Sequence, residues 1–249
     1  MPRTAVVTGA SSGIGAATAR HLVAAGLDVV LGARREERLA EVAAECEEQR
    51  PGSARWHRLD VTDPDSVTTF VENLDEVHVL VNNAGGALGV DPVERLDEDG
   101  WRWMYEANVL GLARMTAALL PRLEASGDGH VVNIVSIAGF DPYPGGGGYV
   151  AAKHAARGVT GVLRHELLGR PVRVTEVDPG LVETEFSVVR LGEDDANEKV
   201  YAGMTPLSAD DVADVVRFAV TRPSHVNLDR IVLQPRDQAS AQHVHRRDG

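Results

Sequence analysis

The amino-acid sequence predicts an α/β protein: a doubly wound parallel sheet of about seven strands with helices on both faces. Three observations lead there. Short apolar runs recur along the chain with helix-period stretches between them. Several of these runs (AVVT, VLVNN, VVNIVS) are apolar and β-branched without alternation, as expected of strands covered on both faces. The regular βα order then favours parallel over antiparallel pairing. At 249 residues, with no internal repeat and no linker, residues 1–249 are expected to form one domain.

The first strand, Thr4–Thr8, leads into TGASSGIG (8–15), which opens a helix at Gly13–Ala25. Gly9, Gly13 and Gly15 permit a tight turn and let a pyrophosphate approach the helix N-terminus, where free N–H groups favour anions. Ser11, Ser12 and Ile14 lie inside this loop and are expected cofactor contacts with it. The spacing is G-x-x-x-G-x-G, which differs from the G-x-G-x-x-G fingerprint. The second strand, Asp28–Gly32, runs on into Ala33-Arg34-Arg35. An NAD site would place an acid here for the ribose hydroxyls. Arg34 and Arg35 instead suit a 2′-phosphate through charge-assisted bonds, so the expected cofactor is NADP(H).

A helix at Glu36–Gln49 follows, with Glu36, Glu37, Arg38 and Glu41 as a solvated face and Cys46 as a passive residue in EVAAECEE. The third strand, Ala54–Asp60, brings Asp60 and Val61 to where an adenine would lie. A helix at Pro64–Asn73 leads to the fourth strand, Val77–Asn82, which ends in Asn83-Ala84-Gly85. One long helix is predicted over Leu96–Ser126; it carries Asn108, and Trp101 and Trp103 near its start serve packing or subunit contact. The fifth strand is Gly129–Ser136, followed by a helix at Gly148–Leu168, a sixth strand at Val172–Val177, a helix at Ala209–Thr221 and a seventh strand at Arg230–Leu233. Residues 187–206 are polar without strong periodicity and read as a substrate lid. Residues 238–249 read as an extended tail.

Chemistry concentrates in SIAGFDPYPGGGGYVAAK, Ser136 to Lys153. If Tyr149 opens a helix, Lys153 shares its face one turn on. A free tyrosine titrates near pH ~10, and lowering it by about 3 units takes roughly 4 kcal/mol of differential stabilisation. A fixed ammonium and a cationic cofactor are a plausible source. Ser136 could hydrogen-bond the oxygen that gains or loses the proton. The chain has only two lysines, Lys153 and Lys199, against many arginines. Lysine at 153 therefore suggests a need for a compact ammonium.

Bulk properties exclude other classes. A net charge of −12 argues against nucleic acid or an anionic membrane as partner. No apolar run approaches the ~20 residues of a membrane span. The apolar run that ends at Gly9 is too short for a signal peptide. The single cysteine forms no internal disulfide, which suits a reducing, cytoplasmic compartment. His243 and His245 have no acid or cysteine cluster around them, so no metal is expected.

TGASSGIG at 8, NNAG at 82, Asn108 in YEANVLG, Ser136, YVAAK at 149 and DPG at 178 occur in the order of the short-chain dehydrogenase/reductase family, which the chain resembles over nearly its whole length. The resemblance implies a Rossmann fold, hydride transfer with a nicotinamide cofactor, and a Ser-Tyr-Lys-Asn tetrad. Tyr149 is then the general acid/base, and Ser136 positions the substrate oxygen. Lys153 holds the nicotinamide ribose and lowers the tyrosine pKa, and Asn108 supports a water leading to Lys153. Tyr149, Lys153, Pro179, Gly180, Val182 and Thr184 join the cofactor contacts, with Thr184 at the amide.

NNAGGALG, DPGLVETEFSVVR, LGEDD, SHVNLDRIVL and the terminal HVHR resemble the NADP-dependent serine/3-hydroxy acid dehydrogenase branch. That implies small 3-hydroxy acids, L-serine or L-allo-threonine as substrates, and a homotetramer. The glycine run 145–148 would leave little side-chain material to shape the pocket. A small hydroxy acid needs a cation for its carboxylate, and Arg190 in the lid is the candidate. Two alternatives stand beside this reading: a reductase of a bulkier aldehyde or ketone in a biosynthetic pathway, and a non-catalytic NADP sensor.

Overall fold

The computed structural model describes residues 3–49, 54–192 and 196–247. Its strands are β1 (Thr4–Thr8), β2 (Asp28–Ala33), β3 (Ala54–Arg58), β4 (Val79–Asn82), β5 (Gly129–Ile134), β6 (Val172–Pro179) and β7 (Arg230–Leu233). They form one sheet in the order β3-β2-β1-β4-β5-β6-β7, with every neighbouring pair parallel. The order reverses between β1 and β4, and in sheets of this kind the crevice opens there, beyond the carboxyl ends of the strands.

The unalternating strand sequences have a simple cause. Val7, Val29, Leu31, Val79, Val81 and Val132 pack on one face, against α1 (Gly13–Ala24), α2 (Glu36–Gln49) and a late helix, Ala209–Val220. Their neighbours Val6, Val30, Leu80 and Val131 pack on the other face with α3 (Pro64–Glu72) and the helices after β4 and β5. Phe70, Leu22 and Leu31 are among the largest fully buried side chains. Each such burial contributes about 1.5–3 kcal/mol. Cys46 belongs to the first of these cores, and burial pushes its thiol up to about 11, so it is inert packing.

The long helix expected over Leu96–Ser126 is interrupted. It runs as α4 (Glu98–Tyr105), a π-helical turn at Glu106–Leu110, and α5 (Gly111–Ala125). Asp97 caps it by accepting from Gly100 N. The fifth strand is followed by α6 (Gly147–Glu166).

Two other stretches are more ordered than their sequence patterns suggest. The polar stretch 187–206 holds two short helices, α7 (Phe186–Leu191) and α8 (Ala196–Tyr201). They are tied down by the buried pair Ser187–Tyr201, whose hydroxyls lie 3.1 Å apart, and by Tyr201 Oη donating to Val182 O at 2.6 Å. Residues 193–195, part of the expected lid and of LGEDD, lie outside the described residues, as do 248–249 of the tail. After α9 (Ala209–Val220) and β7, the tail is docked rather than extended. Gln238 is buried and accepts from Leu181 N at 2.8 Å, Ala241 N donates to Asp141 Oδ2 at 2.7 Å, and Arg247 N donates to Gly203 O at 2.8 Å.

Candidate active site

A cleft of about 570 Å³ opens at the switch point, and every residue expected of the site lines it except Gly15. The cleft is built from β1 and β4 outward. Thr8 Oγ1 accepts from the amides of Asn83 and Ala84 at 3.0 and 2.9 Å. Asn83 Nδ2 donates back to Thr8 O at 2.9 Å, so the glycine loop is stitched to the end of β4. Gly9 has φ +66°, and a Cβ there would lie 2.9 Å from Ala84 Cα. At Gly15 a Cβ would meet Gly9 O at 2.4 Å. Gly15 therefore serves the packing of α1 on the loop behind the cleft.

At the rim, Arg35 donates through Nε to Ser11 Oγ (3.2 Å), through Nη2 to Ser12 Oγ (2.6 Å) and through Nη1 to Glu185 Oε2 (3.0 Å). Arg34 stands exposed beside Asp60. Burial works to raise the Asp60 carboxyl, but hydrogen bonds from Thr62 and the charges of Arg34 and Arg58 hold it below the usual range. A guanidinium with two serine hydroxyls is a donor set suited to a phosphate.

At the other end the polar groups are buried. Asn108 sits on the π-helical turn, a feature frequent at functional sites. Its Nδ2 donates to Gly86 O (2.8 Å) and Met104 O (2.7 Å). Lys153 is 7% exposed and donates to Ile134 O at 3.1 Å, with Nζ 5.7 Å from the centre of the Tyr149 ring. Asp178, fully buried, accepts from Ser136 N at 3.2 Å and from Arg230 Nε at 2.5 Å, fixing the strand end that carries the serine. Ser136 Oγ accepts from Ala138 N at 3.1 Å, and its hydroxyl hydrogen-bonds Tyr149.

Burial dominates the poise of this pair. Burial raises the Tyr149 phenol, as does Tyr143; the Ser136 hydroxyl and Arg190 pull it back only in part. Burial pushes Lys153 down to about 8, against the opposing charge of Asp178. Lys153 Nζ and Arg190 Cζ lie equally far from the centre of the Tyr149 ring, at 5.7 Å, so two cations flank the phenol, and Lys153 also donates to the Ile134 carbonyl.

Arg190 lines the cleft. It donates from Nε to Gly89 O (3.0 Å) and from Nη1 to Tyr143 Oη (2.9 Å), and its Cζ lies 5.7 Å from the centre of the Tyr149 ring. Its Nη2 is buried with no hydrogen-bond partner among the described residues.

Sequence reasoning missed Tyr143, Trp103 and Gln238 as lining residues. Gln238 arrives from the docked tail, which no local pattern signals; Tyr143 stood beside the glycine run and was visible. That run packs against aromatic rings. A Cβ on Gly147 or Gly148 would collide with Trp101, at 2.5 and 2.9 Å, and one on Gly146 with Tyr143 at 2.6 Å. The glycines make room for aromatic rings.

With this geometry in place, comparison with known proteins is specific. A family model described as short chain dehydrogenase matches residues 3–194. The chain is 43% identical over 242 residues to sulfoacetaldehyde reductase 2 of Chromohalobacter salexigens, covering 94% of each chain. It is 41% identical over 251 residues to the NADP-dependent 3-hydroxy acid dehydrogenase of Schizosaccharomyces pombe, covering 98% of this chain and 97% of that one. Among solved structures, the closed form of a serine dehydrogenase complexed with NADP+ superposes with a TM-score of 0.91 at 37% identity, covering 98% of this chain and all of the other.

Proposed function

The chain belongs to the short-chain dehydrogenase family, and on that premise we propose that it is an NADP(H)-dependent oxidoreductase interconverting a hydroxyl and a carbonyl on small 3-hydroxy acids or L-serine and allo-threonine-like substrates. The cofactor assignment rests on the relatives' NADP and on fit: Arg35 flanked by two serine hydroxyls at the rim of the cleft. Gly9, Gly13 and Ile14 would hold the pyrophosphate, Arg34 and Arg35 with the Ser11 and Ser12 hydroxyls the 2′-phosphate, and Lys153 and Thr184 the nicotinamide end. When bound, NADP supplies the hydride donor or acceptor and, oxidised, a positive ring near the phenol.

The residues then divide the remaining work. Ser136 Oγ holds the substrate oxygen, and Tyr149 Oη gives or takes its proton. A phenol held up by burial stays protonated at neutral pH, which makes Tyr149 a ready proton donor for carbonyl reduction; oxidation gains as pH rises. Asn108 and Lys153 supply the buried route by which the phenol is reprotonated. The segment around α7 and α8 acts as the lid. A homotetramer in the cytoplasm belongs to the same reading, carried by the family resemblance, and light scattering tests the assembly.

The observation that carries the substrate class is Arg190. Two fixed bonds orient its guanidinium in the cleft, while Nη2 stays buried without a partner, as a site for a carboxylate oxygen requires. The same geometry supports a second reading, a sulfonate-bearing aldehyde, in line with the sulfoacetaldehyde reductase relative. Arg190→Met should raise KM for hydroxy acids about tenfold or more, the scale of one charge-assisted hydrogen bond, and leave KM for a neutral secondary alcohol nearly unchanged. Equal changes for both would remove the anion site from the account.

A further inference from the structure

Glu185 joins the rim arginines to α7, and no step of the proposed reaction uses it. Its Oε2 accepts from Arg35 Nη1 at 3.0 Å, its Oε1 lies 3.7 Å from Arg38 Nη2, and the Ser12 hydroxyl hydrogen-bonds the same carboxylate. Arg35 and Ser12 are the groups best suited to a 2′-phosphate, and here they face a carboxylate. The hydrogen bond from Arg35 outweighs burial and, with Ser12 and Arg38, holds the Glu185 carboxyl below the usual range, so it is ionised at neutral pH.

We propose that Glu185 is a cofactor-discriminating residue that occupies the donors of the 2′-phosphate, so that NADP must displace it before the rim arginine is free. The inference rests on the NADP assignment above. A dianionic phosphate and a carboxylate cannot both use Arg35 Nη1 and Ser12 Oγ, and close like charges repel. Glu185 also has a route to the rest of the site. It adjoins Thr184, which lines the cleft, and Phe186, whose ring centre is 5.5 Å from that of Tyr149. Moving Glu185 off Arg35 therefore reaches the segment that carries both Phe186 and Arg190.

The test is equilibrium binding of NADP+ and NAD+ to the purified protein by calorimetry, without turnover, for wild type, Glu185→Gln and Glu185→Ala. Glu185 and Arg35 are 43% and 48% exposed, so the variants should fold, and thermal melting checks this. Both variants are expected to bind NADP+ about three- to fivefold more tightly at low salt, with NAD+ changed less than about twofold. The gain should shrink at 0.5 M salt, where the Debye length falls to about 4 Å. Unchanged or weaker NADP+ binding would show that Glu185 holds Arg35 in place and would overturn the proposal, as would equal tightening of both nucleotides. Wild-type protein that binds NADP+ no better than NAD+ would instead overturn the cofactor assignment, and this proposal with it.

Discussion

At the rim of the cleft, Arg34 and Arg35 stand exposed and Glu185 is half-buried; Arg35 and Glu185 form a surface ion pair whose opposite charges salt can screen. At its floor, Lys153, Asn108 and Asp178 are almost wholly buried, each tied to backbone within 3.2 Å. The contrast separates two kinds of functional residue. Exposed groups can be exchanged with little effect on folding, so the rim can set which nucleotide binds. Buried charged groups act against the stability of the domain, and their presence there points to chemistry.

The largest expected effect lies at the floor. Lys153→Met should lower kcat/KM by about a thousandfold, within the range for losing a group in the proton path. It should also stabilise the protein. The folded pKa of about 8 lies below the unfolded value of 10.5, so the buried ammonium destabilises the fold wherever both states are protonated, below pH 8. That cost is about 3 kcal/mol, less about 1 kcal/mol for the bond to the Ile134 carbonyl. It fades as pH rises from 8 to 10.5, so wild type should gain stability relative to Lys153→Met across that window. Denaturant melts of both proteins at pH 7 and pH 10 measure it. A variant less stable than wild type at pH 7 would mean that the buried ammonium does not destabilise the fold.

A smaller effect is expected at the rim. Arg35→Ser should weaken NADP+ about tenfold to a hundredfold, the scale of charge-assisted hydrogen bonds, and leave NAD+ nearly unchanged. Its stability should stay within about 0.5 kcal/mol of wild type, as for most exposed substitutions. A marked drop in melting temperature would mean that Arg35 builds the loop instead of reading the cofactor.

Much of this was legible in the chain. Unalternating strands reveal a sheet covered on both faces because each residue and its neighbour enter opposite cores, as Val6 and Val7 do. The glycine loop, Arg35, Ser136, Tyr149 and Lys153 could be placed because they lie at strand ends or within one helical turn of each other. The rest depends on tertiary packing. The π-helical turn at Asn108 gives no sequence signal in a run that reads as uninterrupted helix. Gln238 reaches the cleft only because the tail folds back on Leu181. The glycines at 146–148 look like empty space until Trp101 and Tyr143 are seen filling it. The approach of Arg190 to the Tyr149 ring was likewise invisible, since Arg190 is 41 positions away in the sequence and meets the ring only in the fold.

The most direct measurement is steady-state nicotinamide absorbance with purified protein, pairing NADP+ and NAD+ with L-serine, L-allo-threonine, 3-hydroxypropanoate and a neutral secondary alcohol. Turnover of the hydroxy acids with NADP+ is expected, at a kcat/KM well above that for the alcohol and well above that with NAD+. Activity confined to the neutral alcohol, or equal with the two nucleotides, would contradict it.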